Sequence, residues 1–425
     1  MRLDQKLLGS VGIYLCANIL NASVPFLLMP VLTRVLSPAD YGLVAMFAIV
    51  LSIVGALTGL SVHGAISVRY FQMEKSELAQ YIGACVIILM ISTVLVFLAA
   101  IFCGEWIWHM TGLPVDWLLV AVGIAGLQFL VNIRLVLHQV AGSAVKYGAM
   151  QIGQTIMNAA ISLVLILMVG LAWEGRVLGQ TVAVVVIAGV AVLSMWRDGF
   201  ISAPRTFRKS ARDALRFGLP LVPHTLGALL IVTVDRFVIV EVLGIASAGI
   251  YMVALQLGQV VGLLTESFNK AYAPWLMRKL AAPNDVPRRL IVRGTYLYFL
   301  ALFLIAAVIG AFAPWFLHFL VGASFQQAGQ FVIYMTFGFA FGGCYYMVTN
   351  YIFFESKTSL LAVVTAVAGL LNIPLTIILV KANGLAGAAQ AFMLTQLLSF
   401  LGTWWLAQKA HPMPWVGALG GKKFI

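Results

Sequence analysis

Apolar runs of about 20 residues, the length an α-helix needs to cross a bilayer, divide this chain from end to end. They lie near 8–33, 41–66, 81–103, 115–137, 147–171, 176–196, 217–243, 246–270, 291–315, 327–353, 359–380 and 384–407. The polar breaks between them are short. The clearest runs from Arg197 to Arg216, near the midpoint, with six basic residues, Asp198, Asp213 and Pro204. The pattern predicts an all-α integral membrane protein with about twelve transmembrane helices in two six-helix bundles. An even number of spans before the midpoint makes both halves enter the membrane in the same direction, as parallel repeats do. The expected organisation is an N-terminal bundle over 1–196, a basic linker over 197–216, a C-terminal bundle over 217–407 and a tail over 408–425.

Two short echoes support duplication. Val35-Leu36-Ser37 followed by Gly42 corresponds to Val242-Leu243-Gly244 followed by Gly249. Asn158, Ser162 and Gly170-Leu171 correspond to Asn372, Thr376 and Gly384-Leu385 at identical spacing. Repetition at about half the chain length is the mark of an internal repeat.

Polar residues inside the spans form stripes. Gln151, Gln154, Thr155, Asn158 and Ser162 recur at helical spacing and share one face of the fifth span. Gln256, Gln259, Glu266, Ser267 and Lys270 occupy an arc of about 100° on the eighth. Asn18, Asn21 and Pro25 lie on one side of the first. A polar stripe facing lipid is costly, so these faces are expected to meet protein or water. Interhelical hydrogen bonding explains a single Asn or Gln; five on one helix favour a hydrated central cavity.

Charge then fixes orientation. Of 26 Lys and Arg residues, 22 fall on one side of the predicted spans; the other side keeps Arg34, Arg176, Arg236 and Lys381. By the positive-inside rule both termini are expected in the cytoplasm. The net charge of +12 sits in short inter-span loops, which argues for an anionic lipid surface and against nucleic acid. Asp235 and Arg236 interrupt the seventh span. Sequence neighbours project about 100° apart on a helix, so each is expected to need another partner, or Arg236 to snorkel. Glu266 and Lys270 stand at i, i+4 and are expected to pair near the basic-rich face. Arg34 closes the first span, where snorkelling is again expected.

The composition, 62% hydrophobic and 9% charged with mean hydropathy +1.02, leaves no polar block long enough for a soluble domain. Loops opposite the basic side are short; the longest candidates are Gly104 to Pro114 and Leu317 to Gln327. H-E-x-x-H, G-x-x-x-x-G-K-[ST] and G-x-S-x-G are absent, and the six His are scattered, so no enzyme constellation, metal site or cofactor is indicated. Cys16, Cys85, Cys103 and Cys344 lack C-x-x-C spacing and read as buried small hydrophobes. The first run is too long for a signal h-region and is expected to remain as a helix.

Asn21-x-x-x-Pro25 followed by Pro30-Val31-Leu32-Thr33-Arg34-Val35-Leu36-Ser37-Pro38-Ala39-Asp40-Tyr41-Gly42 resembles the first-helix signature of polysaccharide (O-antigen type) flippases. These belong to the multidrug/oligosaccharidyl-lipid/polysaccharide exporter superfamily. Asp235-Arg236-Phe237, Leu243-Gly244 and Gly249-Ile250-Tyr251 resemble the matching second-half signature. The resemblance implies two bundles around a central cavity in a bacterial inner membrane. It implies a polyprenyl-pyrophosphate-linked oligosaccharide as cargo, moved from the inner to the outer leaflet by alternating access, with membrane lipids and polysaccharide assembly proteins as partners. Arg34, Arg236 and Lys270 are the cationic candidates for the pyrophosphate. Asn21, Gln151, Gln154, Asn158, Asp235, Gln256, Gln259 and Glu266 complete the candidate cavity lining. A cation-coupled multidrug exporter is the first alternative; it would want buried acids, and Asp235, Glu241 and Glu266 are the candidates. A membrane enzyme of glycan assembly is the second, opposed by the short loops and missing constellation.

Overall fold

In the computed structural model residues 20, 21, 23–281, 288–355 and 357–418 are described; Cys16, Asn18 and the terminal basic residues Arg2, Lys6, Lys422 and Lys423 lie outside them. The described chain is helical, with turns and no strand. It divides into two compact units, Met1–Thr233 and Val234–Ile425.

The first unit holds α1 (Ser23–Val35), α2 (Pro38–Leu57), α3 (His63–Arg69), α4 (Lys75–Thr111), α5 (Val115–Val140), α6 (Ala144–Leu167), α7 (Trp173–Arg197) and α8 (Phe207–Gly218). The turn between α1 and α2 is written in the Ser37-Pro38-Ala39-Asp40 motif. Ser37 Oγ accepts the Asp40 amide at 3.1 Å, and the Asp40 carboxylate accepts the Ser37 amide at 3.0 Å. This capping box satisfies two end groups that a helix leaves open, and Pro38 sits in the first turn, where a missing N–H costs nothing. α5 packs against α2, α3, α4, α6 and α7 and is the axis of this unit.

The run 41–66, expected as one span, is broken. α2 stops at Leu57, and Gly59, Leu60 and Ser61 all take positive φ (71°, 49° and 57°) before α3 begins. The cause is a long-range contact. The Gly59 amide donates to Ser92 Oγ of α4 at 2.8 Å, and a Cβ on Gly59 would fall 2.2 Å from the Phe129 ring of α5. Irregular backbone within an apolar run is tolerated where protein surrounds and satisfies it.

The expected linker carries structure. Residues 207–218 form α8, which packs on α3 and α4. Asp213 accepts Arg69 Nε at 2.9 Å and Nη2 at 2.6 Å, and the Tyr81 hydroxyl at 2.9 Å. The two loops expected near 104–114 and 317–327 are shorter than predicted, because α4 continues to Thr111 and a 3-10 turn occupies Ala323–Ala328.

α9 (Leu221–Leu243) crosses the boundary between the units. The second unit continues with α10 (Ile245–Ala281), α11 (Arg288–Leu320), α12 (Gly329–Phe354) and α13 (Thr358–Ala410). α12 carries no charged residue and packs on α10, α11 and α13, so it is the core helix here. Nine helices among the described residues are long and apolar enough to cross a membrane. One of them, Val364–Ala410, would be about 70 Å long if straight, more than twice the hydrocarbon core. It breaks at Gly384 (φ 59°, ψ −136°) into two spans. With those two, and with α1 and α9 as the remainder, a described helix falls in each of the twelve apolar runs.

The segment read as a tail is docked. His411, Met413, Trp415 and Ala418 are buried after α13. Arg293 Nε donates to the Ala418 carbonyl at 2.9 Å, Tyr296 donates to the Trp415 carbonyl at 3.2 Å, and His411 meets Glu355 at 2.7 Å. Of the cysteines, Cys85 and Cys344 are buried as expected, whereas Cys103 is exposed on α4.

Candidate functional site

The α6 stripe is a hub for three other helices. Thr155 donates to Asn21 Oδ1 at 2.6 Å, which ties the stripe to the first span. Gln154 donates to Gln128 Oε1 at 2.6 Å, and Gln128 donates to Asn132 Oδ1 at 3.2 Å, which ties it to α5. Asn158 Oδ1 accepts Arg176 Nη1 from α7, and Ser162 Oγ receives the same nitrogen at 3.1 Å. Gln151 Oε1 is buried without a hydrogen-bond partner. The residues read as cavity lining therefore hold unit 1 together, while remaining half-buried along most of their length. Each such contact in a membrane is worth on the order of 1 kcal/mol.

Arg176 is the residue the sequence reading left out of the site. It lies three residues into α7 and is half-buried. Asn158 and Ser162 hold one end of its guanidinium with neutral oxygens. Among the described residues it pairs with no carboxylate, and its Nε and Nη2 make no hydrogen bond. A signal existed: Arg176 is one of four basic residues on the sparse side, next to the Asn158–Ser162 echo.

The second half repeats the neutral part of this arrangement. Asn372 Oδ1 accepts Thr376 at 3.2 Å and Thr395 at 2.9 Å, as Asn158 Oδ1 accepts Ser162 at 3.2 Å. Gly170 and Gly384, at the matching turns, both have positive φ (79° and 59°). Where the repeat offset places Arg176, the second half has Gln390, which accepts Asn383 Nδ2 at 2.8 Å.

Asp235 and Arg236 correct the expectation that they would not pair. Arg236 Nη1 lies 3.0 Å from Asp235 Oδ1, and the Arg236 amide donates to the same oxygen at 3.0 Å. Tyr251 of α10 donates to Asp235 Oδ2. The guanidinium folds back beside the Tyr251 ring, 5.9 Å from its centroid, and Nε reaches Met252 Sδ at 3.4 Å. Both side chains are under 10% exposed, so Arg236 does not snorkel. Burial decides this geometry: a long side chain bends to its neighbour's carboxylate when water is absent.

Glu266 and Lys270 pair at 2.7 Å as expected, and both are exposed. Gln256 is half-buried, and Gln259 and Arg34 are exposed. No group of three metal-ligating side chains occurs among the described residues.

Residues 7–279 match the family model described as polysaccharide biosynthesis protein. This chain belongs to that family. An Lsg locus protein of Haemophilus influenzae is 24% identical over 365 residues, covering 82% of this chain and 85% of its own length. A membrane protein of the same organism, also 24% identical, covers 83% and 85%. Among solved structures, the lipid II flippase MurJ in an inward closed conformation superposes with TM-score 0.72 at 15% identity, over 97% of this chain and 91% of its own. An inward-facing multidrug resistance transporter of the MOP superfamily gives TM-score 0.69 at 15% identity, over 91% and 94%. This family member thus has the fold of those two proteins and is a multi-pass membrane protein.

Proposed function

We propose that the protein moves a polyprenyl-pyrophosphate-linked oligosaccharide from the inner to the outer leaflet for surface polysaccharide assembly. The carrying observation is Arg176, a half-buried guanidinium that neutral residues hold in place and no carboxylate neutralises among the described residues. A cation in that setting is incomplete without an anion. Its Nε and Nη2 offer two parallel donors, the geometry that suits a phosphate.

The other candidate cations support the choice by their occupation. Arg236 is held by Asp235, and Lys270 by Glu266. The same pairs count against a cation-coupled drug exporter, because two of its candidate acids already have cationic partners. In this reading the protein sits in a bacterial inner membrane with both termini cytoplasmic. An inside-negative potential assists outward passage of an anion by about 2.3 kcal/mol per charge per 100 mV. Alternating access by rocking of two repeats carries the head group past the hydrocarbon.

The test is binding of polyprenyl pyrophosphate to the protein in lipid nanodiscs. Charge-assisted hydrogen bonds contribute about 1.5–3 kcal/mol, so Arg176→Gln should weaken binding by one to two orders of magnitude. Arg176→Lys should fall between. Polyprenol, which lacks the phosphates, should bind all three proteins alike. Equal binding of the pyrophosphate by native protein and Arg176→Gln would contradict the assignment.

A further inference from the structure

A second site lies within unit 2, between the basic-rich ends of α10 and α11, and nothing above uses it. It is a cavity of about 400 Å³. Its walls are rings. Phe268 stacks on Tyr298 with centroids 4.6 Å apart and planes 21° apart. Tyr272 lies 5.6 Å from Phe268 at 19°, and Trp275 lies 5.5 Å from Tyr272. Ile291 of α11 and Met347 of α12 line it as buried residues. Phe268 and Trp275 remain 43% and 38% exposed although they stand in this cluster.

Protein interiors are close-packed, and bulky side chains normally fill such a gap. Here the opposite wall is Gly294, where a Cβ would meet nothing within 4 Å. Gly294 leaves this side of the slot without a side chain. The slot also has a polarity. Phe268, Tyr272, Trp275 and Lys279 follow one face of α10 at i, i+4, i+7 and i+11, so the aromatic stripe ends in a cation. Arg278 lies beside it, and Arg288 and Arg289 open α11 just before the lining residue Leu290.

We propose that this slot seats the polyprenyl chain of the lipid-linked cargo, beside its pyrophosphate. This rests on the flippase reading. The flat, methyl-bearing alkene units of an isoprenoid lie well against aromatic faces, and because the bilayer is itself apolar the preference comes from packing rather than from leaving water. The chain leads directly to an anionic head, which the Lys279, Arg278, Arg288 and Arg289 end complements. The slot thus adds an element of cargo selection: it reads the carrier lipid by its chain.

The experiment uses the full-length protein in nanodiscs with a photoactivatable polyprenyl phosphate. Native protein should be labelled on the segments around 268–275 and 290–298. Polyprenyl phosphate should compete, and phosphatidylglycerol should not. A Cβ at Gly294 has open room, so Gly294→Leu adds bulk at the slot wall and should cut labelling about tenfold. Gly189→Leu, an exposed position on α7 with equal room, is the control for added bulk and should leave labelling intact. In proteoliposomes, Gly294→Leu should slow transport of a polyprenyl-linked disaccharide and leave a geranyl-linked one unchanged. Unaltered labelling in Gly294→Leu, or equal competition by phosphatidylglycerol, overturns the proposal. Native transport of the cargo together with an unaffected Gly294→Leu sinks the slot alone. Native labelling with no transport of any lipid-linked saccharide sinks the flippase reading and leaves a prenyl-chain site.

Discussion

Replacing Asp235 by Ala should be among the most damaging single changes in unit 2. Its carboxylate accepts from the Arg236 amide, from Arg236 Nη1 and from the Tyr251 hydroxyl. Asp235 stands about 21 Å along α9 from Leu221, well inside the apolar run. Removing it leaves a guanidinium under 10% exposed with its carboxylate partner gone. Breaking a buried pair from one side costs about 3–5 kcal/mol. Replacing both residues removes the stranded charge, so Asp235→Ala/Arg236→Met should recover most of that loss. Tyr251→Phe should cost less, about 1.5–3 kcal/mol, for one hydrogen bond to a charged acceptor. The assay is unfolding in mixed detergent micelles, followed by circular dichroism, as a double-mutant cycle. A double variant no more stable than Asp235→Ala, or an Asp235→Ala variant as stable as native protein, would show that the buried Arg236 charge is not the source of the cost.

Other consequences follow from the same geometry. Arg69 holds the Asp213 carboxyl below its usual range, chiefly through their hydrogen bond. A depressed carboxylate stabilises above its unfolded pKa of about 3.9 and loses that contribution as pH falls through the folded value. Docking of α8 should therefore be constant from pH 5 to 8 and loosen only in stronger acid, while Asp213→Asn loosens it at neutral pH; hydrogen exchange over residues 207–218 measures both. Gly59→Ala meets positive φ and the Phe129 ring together, whereas Gly142→Ala meets positive φ in open space. The first should destabilise by well over the 1–2 kcal/mol of a left-handed backbone alone, and the second by about that amount, in the same unfolding assay. Trp415→Ala should free the docked segment after α13, read as new protease cleavage near 411–418 with α13 itself protected.

The span pattern was legible because each helix must satisfy its own backbone in lipid, which forces long apolar runs into the sequence. The echo of Gly170 at Gly384 was legible as a sign of duplication, and both glycines take the left-handed backbone that favours glycine. What escaped depended on partners far away in sequence. The 41–66 run is uniformly apolar, and its break at Gly59 is set by Ser92 and Phe129. Helical projection separated Asp235 from Arg236, but a flexible four-bond side chain in a dry setting overrides projection. Arg176 looked like an ordinary end-of-span basic residue until Asn158 and Ser162 were found holding it. The last polar residues looked like a tail because docking through Trp415 and the Ala418 carbonyl leaves no periodic signal.

The proposed cargo is an anionic, lipid-linked saccharide. Purified protein in proteoliposomes, supplied with a polyprenyl-pyrophosphate oligosaccharide on one leaflet, tests it directly. Protein-dependent appearance of the sugar on the opposite leaflet is expected, strongly reduced in Arg176→Gln. Absence of that movement, alongside pH-driven export of a cationic dye, would contradict it.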